Sequence, residues 1–142
     1  MSTAHDADAE LVAAARAYFD AWNAKDLVAL RAAFADGASL RDWDVSAHGA
    51  DAVVQANANI FDAVPAIAID VLDVYACAAK RVATCEIVVA LNDEAQTALK
   101  VVDVIAFDEA MKITAVRAYK GLCAPPRMRR HWTTSRAEHV VA

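Results

Sequence analysis

Residues 66–78 read AIAIDVLDVYACA, and at this stretch the spacing of apolar residues changes along the chain. Ile67, Ile69, Val71, Asp73 and Tyr75 fall on one face at steps of two, the period that a pleated strand imposes. Pro65 stands just before it and stops a preceding helix, because it has no N–H to donate and its ring clashes with the turn behind it. Three further stretches keep the period of two. KRVATCEIVVALND (80–93) groups Cys85, Ile87, Val89 and Leu91. TALKVVDVIAFD (97–108) groups Leu99, Val101, Asp103, Ile105 and Phe107, and MKITAVRAYKG (111–121) reads as a fourth strand. The separators AAKR, NDEAQ and DEAM suit hairpin turns, although none carries the Asn-Gly or Asp-Gly signal.

Ahead of Pro65 the period is helical. Leu11, Ala15, Tyr18 and Trp22 form one stripe of a helix that is expected to start near Asp6 or Asp8, where an acid suits the N-terminal end of the dipole. NAKD breaks it, and Asp26 is a plausible N-cap for a second, short helix with Leu27, Leu30 and Phe34 on one face. Gly37, in ADG, is expected to stop that helix. The next stretch, GASLRDWDVSAHG (37–49), starts as a short strand, ASLRDWD. HGADAVVQANANIFDAV (48–64) reads as a third helix with Ala52, Gln55, Ala56 and Asn59 or Ile60 along it. Helices followed by a meander of strands predict an α+β fold.

The chain has 142 residues and a hydrophobic fraction of 58%, enough for one core in one domain. Its boundaries read as an N-terminal extension (1–9), a folded domain (10–121) and a basic C-terminal tail (122–142). The net charge of −5 argues against nucleic acid as a partner. No apolar run approaches the roughly 18 residues of a membrane span, and MSTAHDADAE lacks the basic and apolar regions of a secretion signal, so no membrane association and a cytoplasmic location are expected. The tail, APPRMRRHWTTSRAEHVVA, holds four arginines against one glutamate. It reads equally as a docking arm or as a solvated terminus. Cys77, Cys85 and Cys123 form no Cys-x-x-Cys and are expected to be reduced thiols, two in strands and one near the tail. His5, His48, His131 and His139 are scattered, so no metal site and no cofactor are expected.

Asp103 is the most informative residue. It interrupts the apolar face of Leu99, Val101, Ile105 and Phe107, so it points into the core or a cavity, or else meets solvent or an arginine where the sheet is thin. A buried carboxyl without a partner holds its proton and becomes a hydrogen-bond donor. Tyr18, on the buried stripe of the first helix, needs a partner for its hydroxyl unless that hydroxyl reaches the surface. Asp42 and Asp44 flank Trp43, and strand alternation puts both acids on one face, so periodicity does not choose between them.

Taken together, these residues resemble the ketosteroid isomerase family, within the superfamily that includes nuclear transport factor 2 and the SnoaL-like polyketide cyclases. The likeness covers roughly residues 10–121. AYFDAWNAKDLVALRAAFADGASLRD (17–42) is similar to the family's first two helices and first strand, and VVDVIAF with ITAVRAYKG to its last two strands. The resemblance implies a cone-shaped, curved antiparallel sheet wrapped around three N-terminal helices (a cystatin-like fold). It implies that Asp42 is the catalytic base and that Tyr18 and a neutral Asp103 are the two donors of an oxyanion hole. Asp103 would thus serve as a carboxylic acid kept neutral by an apolar site, for which this family is a standard example. It further implies substrate contacts from Trp43, Asn57, Phe107 and Lys120, a small hydrophobic ketone or polyketide-like ligand, and a homodimer through an outer face containing Val102, Val104 and Ala106.

There are departures from the family pattern. Trp43 follows the base where the family commonly has proline. Asn57 stands where some members place a supporting tyrosine. Lys120 replaces an apolar aromatic, either entering the pocket or reaching solvent at its rim. The alternatives on the same fold are a SnoaL-like cyclase or dehydratase, or a non-catalytic ligand-binding or dimerisation module. Epoxide hydrolysis fits less well, because the arginine expected two residues before the strand acid is Val101. Scytalone-type dehydration lacks a pocket histidine beyond His48, which begins the third helix.

Overall fold

The computed structural model describes residues 3–121. Helices α1 (Ala4–Asn23) and α2 (Leu27–Ala33) lead into strands β1 (Phe34–Arg41) and β2 (Ser46–His48). Helix α3 (Ala50–Ala63) follows, and then β3 (Ala68–Cys77), β4 (Val82–Ala90), β5 (Ala98–Phe107) and β6 (Ile113–Lys120). The strands form one curved, open sheet in the order β2-β1-β6-β5-β4-β3. The last four make the expected antiparallel meander. β1 lies parallel to β6, with Leu40 opposite Val116 and Arg41 opposite Arg117, so the sheet is mixed rather than antiparallel throughout. β2 is a short strand that the sequence reading missed, folded back on β1 by the Asp42–Val45 turn.

The helices lie where local chemistry starts and ties them. Thr3 caps α1 by accepting from Asp6 N, and the Asp6 carboxylate accepts from Thr3 N, a reciprocal capping box. This box starts the helix at Ala4, ahead of the expected Asp6 or Asp8, so residues 4–9 form its first turns. Asp8 then accepts from Ala78 N at 2.9 Å. At the other end the Asn23 side chain donates to Ile69 O at 2.8 Å and accepts from Ile69 N at 2.7 Å. The amide stands in for a neighbouring strand on the open edge of β3, a position otherwise left with unpaired backbone groups. Tied at both ends, α1 runs antiparallel along β3 and turns Leu11, Ala15, Tyr18, Phe19 and Trp22 into the core.

Three local expectations fail, each for a physical reason. α2 is capped by Asp26 as expected, but it ends at Ala33, and Gly37 lies inside β1 rather than stopping a helix. Phe34 is already extended, buried and paired with Ile113. Burial of its ring in the sheet outweighs one more helical turn. In β3 a bulge between Val71 and Asp73 adds Leu72 and reverses the alternation. Asp73 and Tyr75 therefore leave the core face to Val74 and Ala76, and the Tyr75 hydroxyl donates to Glu86 Oε1 at 2.6 Å. α3 buries Ala50, Val53, Asn57 and Phe61 instead of the expected stripe. Alanine on both faces leaves the choice to Phe61, whose ring meets Trp22 edge-on at 4.9 Å between centroids.

No helix among the described residues is long and apolar enough to cross a membrane. Cys77 and Cys85 are free thiols, exposed and buried respectively. Cys123, His131, His139 and the basic tail lie outside the described residues.

Candidate functional site

Between the inner face of the sheet and helices α1 and α3 lies a cavity of about 230 Å³. α1 contributes Tyr18 and Trp22 and α3 contributes Asn57. The Asp42–Val45 turn forms the mouth, and Asp103 projects from β5 beside Val101. The remaining walls are almost wholly aliphatic, Ile69, Ile87 and Val116 among them. The volume falls below the roughly 300–1,000 Å³ of ordinary ligand pockets, so a large ligand has to extend past the mouth.

Asp103 is 6% exposed and Tyr18 4% exposed. Neither side chain has a hydrogen-bond partner among the described residues, whereas buried polar groups ordinarily do. Burial, and then the charge of Asp42, pushes the Asp103 carboxyl up to about 7. Burial, followed by the charges of Asp103 and Cys85, holds the Tyr18 hydroxyl well above the usual phenol range. Tyr18 is therefore a donor throughout the physiological range, and Asp103 is a donor below about pH 7. The influence of Asp42 on Asp103 also shows that the two acids act across the same space. Cys85, opposite Asp103 in the β4–β5 register, is pushed up to about 12 by burial and by that carboxylate, so it remains a thiol.

Asp42 differs from Asp103 in its surroundings. β1 ends at Arg41, and the chain turns at once. Asp42 N donates to Val45 O at 2.9 Å, and Asp42 Oδ1 accepts from Asp44 N at 2.7 Å and from Val45 N. The carboxylate thus fixes its own turn at the mouth, half-buried. Because the strand has ended, Trp43 is not held on the opposite face, as regular alternation requires. It lines the cavity and leaves 40% of its surface exposed, while Asp44 lies exposed at the rim.

The structure brings Tyr18, Asp42, Asp103, Trp43 and Asn57 to one cavity. Two other expected contacts lie elsewhere. Phe107 does not line the cavity. It is four residues beyond Asp103 on the same strand face, about 13 Å at strand rise, and packs into the far end of the core. Lys120 is exposed, with its ammonium 5.3 Å from the centre of the Trp43 ring, and borders a separate groove rather than the cavity. Asn57 does not support Tyr18. Its Oδ1 accepts from Trp22 Nε1 at 2.9 Å, and its Nδ2 donates to Val53 O at 3.0 Å. Trp22 as a cavity wall was missed, because its helical stripe marked it only as core.

The model of the SnoaL-like domain matches residues 15–116. No curated protein matches the chain. Among solved structures, one similar to the chain is a protein of unknown function with a cystatin-like fold from Methylobium petroleophilum, at 17% identity and a TM-score of 0.73 over 83% of this chain and 80% of that one. A protein from Kribbella flavida that carries the provisional name ketosteroid isomerase is similar at 18% identity and a TM-score of 0.69, over 84% and 83% of the two chains. An LEH-like epoxide hydrolase of M. tuberculosis is similar at 17% identity and a TM-score of 0.67, over 80% and 84% of the two chains. At these identities the likeness establishes the fold.

Proposed function

The chain belongs to the SnoaL-like domain family, and from that premise we propose that it is a cytoplasmic, ketosteroid isomerase-like enzyme that moves a carbon–carbon double bond in a hydrophobic ketone. One observation carries this reading. Two buried donors without hydrogen-bond partners among the described residues, Tyr18 and Asp103, face an apolar cavity whose mouth holds a second, half-buried acid, Asp42. In the proposed reaction the ketone oxygen accepts from Tyr18 and from neutral Asp103. The Asp42 carboxylate takes a proton from the carbon between the carbonyl and the double bond. The electron pair left behind spreads onto the oxygen, where donors already in position stabilise it without reorganisation. Asp42 then returns the proton to the far carbon of the former double bond, so atoms and charge balance with no cofactor.

The same geometry fits a cyclase that also begins from an enolate. Epoxide hydrolysis is disfavoured because Val101, which lines the cavity, occupies the place of the required arginine. A second reading, a ligand-binding module without catalysis, is favoured by one observation: Asp42 already has a structural task in holding its turn. Asp42→Asn separates the two. Asparagine keeps the accepting Oδ1 and therefore the turn, but it cannot serve as a base. With a 3-keto-Δ5 steroid, and with the smaller 3-cyclohexenone, the conjugated product is followed by ultraviolet absorbance. The expected loss in kcat for Asp42→Asn is about 10²–10⁴-fold. No turnover of either ketone by the wild type would sink the isomerase reading.

A homodimer through the outer sheet face at Val102, Val104 and Ala106, all half-buried, belongs to the same proposal. Light scattering should give twice the chain mass, and Val104→Arg should halve it; a monomeric wild type would refute it.

A further inference from the structure

Beside the cavity mouth runs a second hollow of about 330 Å³, and Asp42, Trp43 and Ala118 form a wall common to both. The rest of the groove is cationic and aromatic, with Arg41, Arg117, Lys120 and Tyr119. Its position follows from the parallel pairing of β1 with β6. That pairing ends both strands at the same edge of the cavity and sets Arg41 directly beside Arg117. Like charges directly opposed in a sheet are destabilising. Neither guanidinium finds a counter-charge, since both ion pairs among the described residues belong to Arg31. Among the described residues Asp42 is the one acid lining the groove, and its Oδ1 is committed to the turn N–H groups. Lys120 stacks its ammonium over Trp43, which leaves a cation above the ring that divides the two hollows. The segment that follows Gly121 has four arginines against one glutamate. Its charge has the same sign as the groove's, which argues against this segment as the occupant.

We infer that this groove is an anion subsite, and that the ligand is a hydrophobic keto acid whose carbonyl end enters the cavity while its carboxylate lies between Arg41, Arg117 and Lys120. Adjacent guanidinium forks match the two oxygens of a carboxylate, and Trp43 and Tyr119 give the linking carbons apolar surfaces to cross. A cavity smaller than most ligand pockets is then one half of a longer site. The placement of the carbonyl rests on the isomerase reading, whereas the anion subsite does not.

The test is calorimetric binding of 4-(4-hydroxyphenyl)butanoate and its methyl ester, whose phenol oxygen serves as acceptor for Tyr18 and Asp103. The acid should bind about tenfold or more tightly than the ester at low salt, and the advantage should shrink as salt rises. In the double variant Arg41→Gln, Arg117→Gln the acid should lose most of its advantage over the ester, and adding Lys120→Gln should remove the rest. Ester binding, which does not use the charge of the groove, reports an intact cavity and chain path. If the double variant loses the ester as well, Arg117→Lys replaces it, and the acid advantage must still drop, because the charge remains but the fork is gone. Equal affinity of acid and ester in the wild type, or an acid advantage that survives these substitutions, overturns the subsite. A preference for the acid with no turnover of any enone refutes the isomerase reading alone. Turnover with no preference for the acid refutes the subsite alone.

Discussion

Asp103→Asn should stabilise the protein, and by an amount that depends on pH. The folded carboxyl titrates at about 7, against 3.8 for the free side chain, because burial and the charge of Asp42 oppose ionisation. When the folded value is raised, the contribution to stability is complete below the unfolded value and is lost as pH climbs through the folded one. Below about pH 4 the residue is neutral in both states and costs nothing through its charge. Between about pH 4 and 7 the unfolded chain releases the proton while the folded chain keeps it, so stability declines steadily. Above about pH 7 the loss is complete. Three pH units at about 1.4 kcal/mol each come to roughly 4 kcal/mol. That is a large part of the 5–15 kcal/mol or so that holds a typical domain together.

Asparagine has nearly the same shape and stays neutral. Like the protonated acid, it buries one polar group that has no partner among the described residues, so at pH 3.5 the two proteins should unfold at nearly the same urea concentration. At pH 8.5 the variant should be more stable by about 4 kcal/mol, a midpoint shift of roughly 2 M for a urea m-value of about 2 kcal/mol/M. Groups that do not interact with Asp103 contribute equally in both proteins and drop out of the difference. Parallel stability–pH curves for wild type and variant across pH 4–8 would refute the burial of a proton-holding acid at this position, and the donor role with it.

Three further outcomes follow from the same geometry. Turnover of a test enone should fall as pH rises through about 7, because ionised Asp103 cannot donate. A pH–rate profile in which Asp103→Asn keeps the same falling limb would assign that limb to another group. Asp42→Asn should move the Asp103 titration downward, since the Asp42 charge is the second cause of its elevation. A carboxyl resonance followed by NMR checks this, and an unmoved titration would mean that the two acids do not sense one another. Asn57→Leu leaves the indole N–H of Trp22 buried without its acceptor, at a cost of about 1–3 kcal/mol. Thermal unfolding measures the loss, and no loss would mean that this bond contributes nothing net.

Much of the fold was legible because burial repeats. The four strands after Pro65 each keep a period of two long enough to read, and Asp26 and Pro65 mark boundaries by chemistry that acts within a few residues. The errors arise where a distant partner decides. Phe34 is a strand residue because Ile113 lies beside it. The alternation of β3 reverses at Leu72 because β4 accommodates one extra residue there, and nothing in AIAIDVLDVYACA marks the place. The parallel contact of β1 with β6 joins residues about eighty positions apart, so the pairing of Arg41 with Arg117, and the groove it creates, had no local signal. In the site, Asp103 was visible as an acid on an apolar face, and Tyr18 as a phenol on a buried stripe. Asp42 was not distinguishable from Asp44 by pattern, and its choice came from resemblance. Phe107, implied as a contact by the resemblance, shares a face with Asp103 but lies four residues further along the strand, outside the cavity lining.

The division of labour between the two acids has one physical source. Asp42 lies half-buried, with two backbone N–H groups donating to it, whereas Asp103 lies buried with no donor at all among the described residues. Identical side chains in unlike surroundings part in their readiness to ionise. Proximity widens the gap, because the charge on Asp42 makes the second charge on Asp103 more costly. The arrangement therefore suits the proposed base and neutral donor facing one apolar space, with the apolar walls around Asp103 as the main cause and the Asp42 charge as the second. In the proposed reaction it also accounts for a donor that is an aspartic acid with no partner among the described residues. A hydrogen bond to its carboxylate would stabilise the ionised form and remove the proton that the proposed reaction uses. The missing partner is a cost to folding that builds between about pH 4 and 7 and, in the proposed reaction, a requirement for donation below about pH 7, so Asp103→Asn is expected to hold its full stability advantage by the pH at which the wild type loses activity.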